Sequence, residues 1–201
     1  SSPMFRLIRW MCALIFMAGP AFSQEAKLMI PSAHNNSIEA LSYSPDDQFF
    51  FSSSGDGSKV WKSSDLKLIK NLPEIRPEAI LAHPSFPEAV FFVRFNSIDW
   101  FDMERFEVTQ SIPNDSVEVR DAVMSPDGKI IYVSGVPKSK NRSMVVWKFT
   151  LESKQWEKIF DAPDPDLIKN PNYTKATNLQ INSQGTELLF NSHYQNTYLV
   201  D

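Results

Sequence analysis

The stretch Ile38-Glu39-Ala40-Leu41-Ser42-Tyr43-Ser44-Pro45-Asp46-Asp47 is an apolar strand that ends in a Ser-Pro-Asp turn, and Lys59-Val60-Trp61 follows it. The same order returns in residues 79–84 with Ile98-Asp99-Trp100, and in residues 121–128 with Val145-Val146-Trp147. Pro84 follows Pro45 by 39 residues, and Pro126 follows Pro84 by 42. A period near 40 residues with several short strands in each unit is typical of β-propeller blades.

The pattern predicts an all-β chain with about four blades, at residues 34–72, 77–112, 119–160 and 176–201. No stretch has a sustained 3.6-residue apolar period, so helix should be minor. The longest irregular connection is expected at Asp161–Asn172, and a long loop is expected at Gly135–Arg142. Four blades is the low end for a propeller. Three interpretations remain: a fragment of a six- to eight-bladed propeller, which we favour, an open arc closed by a partner, or a small four-bladed ring.

The N-terminus resembles a signal peptide. Arg6 and Arg9 precede an apolar run from Trp10 to Phe22, and Ala21-Phe22-Ser23 offers small residues for a signal peptidase. We expect residues 1–23 to be removed, with 1–3 lying upstream of the natural start, and residues 24–33 to form a linker. The alternative is a membrane anchor, but the run is short for a span of about 20 residues. The prediction is an exported protein, periplasmic or extracellular, with no stable membrane anchor.

Charge and cysteine usage exclude several classes of function. The chain has 20 Lys and Arg against 24 Asp and Glu, and losing Arg6 and Arg9 moves the net charge from −4 to −6. A nucleic-acid binder would show a basic surface instead. The only cysteine, Cys12, lies in the leader, so the mature chain has no thiol or disulfide.

Catalytic and metal motifs are absent from the sequence. His34, His83 and His193 are far apart, and no G-x-S-x-G elbow occurs. The carboxylates Asp161, Asp164 and Asp166 lack the glycine and closing glutamate of a calcium loop. We therefore expect no enzyme activity within this chain, no cofactor and no metal.

The first unit resembles a WD40 repeat, in its His34, its Ser-Pro-Asp turn, its serine run, its Asp56 and its Trp61. The resemblance implies a structural hydrogen-bond network of His34, Ser52, Asp56 and Trp61. Asp56 is one residue closer to the Trp than is usual in that family, and Lys62 replaces the Asp that follows the Trp. The repeat-equivalent aromatic residues of the later units are expected at Trp100, Trp147 and Tyr198.

The later units also resemble the propellers of TolB-type periplasmic proteins and of prolyl-oligopeptidase-type peptidases, in residues 187–190 and 197–201. Two functions follow from these resemblances. The first is a non-catalytic scaffold for protein–protein interaction, whose protein partner the sequence does not identify. The alternative is an accessory propeller that precedes the catalytic domain of an exported caspase-like or serine peptidase, encoded beyond Asp201.

Overall fold

The computed structural model describes residues 33–139, 143–163, 178–191 and 197–201, which contain fifteen strands and no helix. Residues Ser32–Asp201 form one compact unit. The predicted signal peptide and all of the predicted linker except Ala33 lie outside the described residues.

The strands form four antiparallel sheets, each built from strands consecutive in sequence. Blade one contains β1 (Ile38–Tyr43), β2 (Phe49–Ser54), β3 (Gly57–Lys62) and β4 (Leu68–Leu72). Blade two contains β5 (Ala79–Leu81), β6 (Ala89–Arg94), β7 (Ser97–Asp102) and β8 (Glu107–Pro113). Blade three contains β9 (Val117–Met124), β10 (Ile130–Pro137), β11 (Ser143–Thr150) and β12 (Gln155–Pro163). Blade four contains β13 (Leu179–Ile181), β14 (Leu188–Asn191) and β15 (Thr197–Val200).

The first strand of each blade is its innermost strand. Strand β1 contacts β5, β5 contacts β9, and β9 contacts β13, so these strands line a common axis. Apolar clusters fill the three junctions between successive blades, around Phe51 and Phe92, around Phe91 and Phe149, and around Val146 with Phe190. The predicted β-propeller with four blades is confirmed.

The turns after the innermost strands explain why the Ser-Pro-Asp signal repeats. In blade one, the Ser44 hydroxyl donates to Asp46 at 2.7 Å and accepts the Phe49 N–H at 3.0 Å. In blade three, Ser125 makes the same pair of bonds, to Asp127 at 2.6 Å and from Ile130 at 3.0 Å. Local side-chain bonds of this kind hold tight turns. Pro45, Pro84 and Pro126 lie in equivalent turns, as predicted.

Blade two replaces this serine with His83, which joins two neighbouring turns. The His83 ring accepts the Ser85 N–H at Nδ1 and donates from Nε2 to the Pro126 carbonyl at 2.8 Å. A Cβ on Gly128 would lie 2.3 Å from His83 Nδ1, so glycine lets the two turns touch.

Two predicted loops start later than expected. Strand β10 runs through Pro137 instead of ending at Ser134, and β12 runs through Pro163 instead of Phe160. Cross-strand pairing extends the sheet to Pro137 opposite Val117 and to Pro163 opposite Ser143. Both prolines sit at strand ends, where the missing N–H costs the ladder least.

Candidate interaction site

Four side chains of blade one form one continuous hydrogen-bonded chain, which we call the blade-one tetrad: His34, Ser52, Asp56 and Trp61. The distances are 2.5 Å from His34 Nδ1 to Asp56 Oδ1 and 2.7 Å from His34 Nε2 to Ser52 Oγ. The Trp61 indole donates to Ser52 Oγ at 2.9 Å. Strands β2 and β3 supply Ser52 and Trp61, their turn supplies Asp56, and the segment before β1 supplies His34.

The direction of each bond follows from the chemistry of the groups. A carboxylate only accepts, so His34 Nδ1 carries the proton toward Asp56. The indole N–H only donates, so Ser52 Oγ accepts from Trp61, and with a neutral imidazole the Ser52 hydroxyl donates its own proton to His34 Nε2. Each buried polar group of the blade-one tetrad therefore has a hydrogen-bond partner, which is the condition for burying a polar network without loss of stability.

Asp56 is the best solvated end of the tetrad, since 18% of its side chain is exposed against 1% for His34. The backbone N–H of Asn35, the His34 ring and the Ser54 hydroxyl all donate to Asp56 and hold the pKa of its carboxyl well below its usual range. Lys59 Nζ lies 3.4 Å from the same carboxylate. The short spacing between Asp56 and Trp61 in the sequence thus does not turn the carboxylate away from the other residues of the tetrad.

Asp56, His34 and Ser52 also have the connectivity of a hydrolase triad, in which a base activates a serine. Ser52 is only 2% exposed, however, and its oxygen already accepts the Trp61 N–H. A nucleophile needs a free oxygen and room for the substrate. This arrangement favours a structural role for the tetrad.

The strand register places Phe101 in blade two and Phe149 in blade three at the position equivalent to Trp61. Each of the three lies one residue before the residue whose carbonyl accepts the N–H that closes the turn after the third strand, namely Lys62, Asp102 and Thr150. The expected equivalence of Trp100 and of Trp147 is therefore wrong. The Trp100 ring lies 5.9 Å from that of Phe149, so Trp100 packs toward blade three.

Tyr198 in blade four does not lie at the position of Trp61. The bond from the Asn182 N–H to the Glu187 carbonyl matches the bond from Ser44 to Phe49, so Leu188 corresponds to Phe50 and its partner Val200 to Trp61. Tyr198 pairs instead with Phe190, and the two rings stack at 5.1 Å. Sequence reasoning missed Phe101, although Asp102 behind it matches the Asp that follows the Trp in a WD40 repeat.

The residue at the position of Ser52 differs between blades. It is Phe92 in blade two and Val133 in blade three. Phe92 packs on Phe101 with the ring centroids 5.4 Å apart, so an apolar pair replaces the hydrogen bond. Trp147 pairs with Val133, and its buried indole N–H has no hydrogen-bond partner among the described residues.

A pocket of about 290 Å³ opens beside Trp147, and we call it the blade-three pocket. Its wall combines apolar, hydroxyl and charged side chains, namely Asp115, Ser116, Pro137, Ser139, Val145, Trp147, Lys158 and Asp161. Lys158 pairs with Asp161 at 2.6 Å, and this hydrogen bond lowers the pKa of the Asp161 carboxyl. Asp115 has no ion-pair partner among the residues that the structure describes.

The remaining predicted site residues are not gathered together. Asp164, Asp166 and His193 lie outside the described residues. Among the described residues, no group of three His, Cys, Asp or Glu side chains could hold a metal ion. Within those same ranges, no helix is long and apolar enough to cross a membrane.

Comparison with known families identifies the first blade. Residues 26–62 match the family model described as WD domain, G-beta repeat. The match contains the whole blade-one tetrad and begins within the predicted linker. Blade one is therefore a WD40 repeat, and the chain is a β-propeller protein. The resemblance of the later blades to TolB-like propellers stays a prediction.

Two solved structures are similar to this chain. Hydrazine synthase of Kuenenia stuttgartiensis matches with a TM-score of 0.59 and 18% identity, over 76% of this chain and 43% of that one. A functionally unknown protein from Desulfotomaculum acetoxidans DSM 771 matches with a TM-score of 0.54 and 14% identity, over 79% and 50%. These identities show the fold alone. The chain spans about half the length of the structures it matches. Among curated proteins, no match was found.

Proposed function

We propose that this protein is an exported, non-catalytic β-propeller scaffold that binds another protein. The observation that carries the proposal is the blade-three pocket, where an aromatic wall meets charged side chains at the protein surface. Protein interfaces concentrate their binding energy at a few aromatic and charged positions in such pockets. The buried Ser52 supports the non-catalytic part, since this serine, which has a triad-like histidine beside it, is inaccessible.

The charges of the pocket favour a basic side chain of the partner. Lys158 neutralises Asp161, which leaves the Asp115 carboxylate as the unpaired charge among the described residues of the wall. A cationic side chain would extend its aliphatic part along Val145 and Trp147 and bring its charge to Asp115. Cations also bind favourably over the face of an indole ring.

Peptide display on the purified protein tests this binding mode. Peptides selected on the wild-type protein should be rich in Arg or Lys and should lose binding to Asp115→Lys at least tenfold. The matched control is Glu152→Lys in the same blade, because Glu152 is an exposed carboxylate that does not line the pocket. Equal binding to both variants would contradict the proposal.

Export is proposed from Arg6, Arg9 and the apolar run that follows them. Expression in a bacterial host with the leader intact should give a protein outside the cytoplasm whose sequence begins at or near Gln24. A cytosolic product that retains Met4 would remove this part of the proposal.

A further inference from the structure

His83 lies where the turn after β5 in blade two meets the turn after β9 in blade three, and its ring bonds to both turns. Nε2 lies 2.8 Å from the Pro126 carbonyl oxygen, and Nδ1 lies 3.1 Å from the backbone nitrogen of Ser85. The ring lies directly against Gly128. Both turns and the strands that flank them belong to the described part of the chain. The junction is therefore complete on both sides.

The two hydrogen bonds fix the protonation state of this ring. A carbonyl oxygen only accepts, so Nε2 carries a proton toward Pro126. A backbone N–H only donates, so Nδ1 must offer its lone pair to Ser85. The arrangement thus requires the neutral imidazole. Histidine is the side chain whose charge ordinarily changes between about pH 5 and 8. A second proton enters at Nδ1, where it faces the Ser85 N–H and removes the acceptor of that bond.

The turn of blade three favours the charged ring instead. The Pro126 carbonyl accepts a stronger hydrogen bond from an imidazolium than from a neutral imidazole. Hydrogen bonds from the Ser125 hydroxyl and the Lys129 N–H lower the pKa of the Asp127 carboxyl, so this neighbouring carboxylate stays ionised. The other charged side chains of the two turns, Glu88 of blade two and Lys129 of blade three, are exposed. Protonation therefore weakens the bond within blade two and strengthens the attachment to blade three.

We propose that His83 is a proton-driven switch at the junction of blades two and three. The neutral ring is shared between the two turns, whereas the charged ring releases the Ser85 N–H and binds blade three alone. Residues 84–86 then loosen while the ring stays against Gly128. Blades one and three have Ser44 and Ser125 at the equivalent position, and serine does not titrate in this range. The switch is therefore specific to this junction.

An NMR titration of the purified protein from about pH 8 to about pH 5, across the range in which histidine titrates, tests the switch. The exchange rate of the Ser85 amide, corrected for the intrinsic pH dependence of exchange, should rise at least about fivefold as the His83 ring becomes protonated. The Gly128 Hα protons lie against the ring and should keep their ring-current shifts throughout the titration.

Two conservative variants complete the experiment. His83→Asn is the matched control, because an asparagine oxygen accepts the N–H two residues further on and does not titrate. Its Ser85 amide should stay protected over the whole pH range. Asp127→Asn keeps an oxygen that can accept from Ser125 and Lys129 but removes the charge beside the ring. In this variant the change at Ser85 should move to lower pH.

Several results would overturn the switch. Unchanged exchange of the Ser85 amide while the His83 ring titrates would show that the bond at Nδ1 does not matter. Loss of the Gly128 ring-current shifts at low pH would show that the charged ring leaves both turns. The same pH response in His83→Asn would assign the effect to another group, and an unmoved response in Asp127→Asn would contradict the transfer of the ring to blade three.

Discussion

Blades one and three each carry a tryptophan on the third strand, and the two indole N–H groups are in opposite situations. In blade one, Trp61 donates to Ser52 at 2.9 Å, and the chain of bonds continues through His34 to Asp56. In blade three, the N–H of Trp147 is buried and has no hydrogen-bond partner among the residues that the structure describes. Both blades nevertheless form complete four-stranded sheets. The polar network of blade one is therefore a local addition to the blade.

The backbone of blade three requires glycine at position 135. A Cβ at Gly135 would lie 2.1 Å from the Glu118 carbonyl oxygen, far inside van der Waals contact. The pairing of β9 with β10 shifts register between Ser134 and Gly135, which brings this carbonyl close. Trp147 lies opposite Val133, whose side chain offers no acceptor to the indole.

The largest predicted effect is the loss of the aromatic ring itself. Trp61→Ala should lower the free energy of unfolding by about 3–5 kcal/mol, because it leaves a cavity as well as an unsatisfied network. Phe101→Ala should lose a similar amount, since Phe101 is fully buried at the equivalent position without any network. Denaturant unfolding measures both. A loss below about 1 kcal/mol for either variant would contradict the shared packing role.

Removing the central hydroxyl tests the network alone. Ser52→Ala should cost about 1–3 kcal/mol, because the buried Trp61 N–H and the His34 ring both lose their partner. Ser53→Ala is the matched control, since the neighbouring Ser53 is similarly buried and its hydroxyl has no hydrogen-bond partner in the described part of the chain. We expect the control to unfold at nearly the wild-type denaturant concentration. Equal losses in both variants would show that the network contributes nothing specific.

Replacing each tryptophan by phenylalanine compares the two indole groups directly. Trp61→Phe and Trp147→Phe both lose part of the ring, but only Trp61→Phe removes a hydrogen bond that the indole forms in the folded protein. The loss should therefore be larger for Trp61→Phe by about 1 kcal/mol. If Trp147→Phe proves the more damaging variant, the comparison between the two blades fails.

The overall architecture could be predicted from the sequence because its signals are local. Turn residues such as Ser44 and Ser125 act on their own backbone, so they recur wherever the same turn is built. The tetrad residues could be found for the same reason, since a known repeat spacing connects them. The strand extensions at Pro137 and Pro163 were missed, because they depend on partners that are distant in sequence.

The exchange of Trp100 for Phe101 shows where counting residues fails. The spacing from Trp61 pointed to Trp100, one residue away from the equivalent position. A slip of one residue in a strand moves a side chain to the opposite face. Trp100 therefore packs toward blade three, while Phe101 packs toward Phe51 of blade one. Only the register of β7 against its neighbours, fixed by the turn after Arg94, decides between them.

The smallest predicted effect concerns acid, and it separates the blade-one network from the rest of the fold. Hydrogen bonds from Asn35, His34 and Ser54 lower the pKa of Asp56 in the folded protein below its usual value of 3.8. A carboxyl whose pKa is lowered by folding stabilises the folded protein at pH values above its unfolded-state pKa. This stabilisation is lost as the pH falls through 3.8 toward the folded-state pKa. Asp56→Asn removes the titrating group and should therefore flatten the fall in unfolding free energy below about pH 4. Denaturant titrations at a series of pH values measure the free energy of unfolding of both proteins. The difference between wild-type and Asp56→Asn should be largest near pH 7 and should shrink toward pH 2 to 3, because these pH values lie on either side of the reference pKa.

Ser53→Ala, which leaves Asp56 unchanged, should follow the wild-type profile at all pH values. A constant difference between wild-type and Asp56→Asn across this range would mean that the carboxylate charge adds nothing to the stability of blade one.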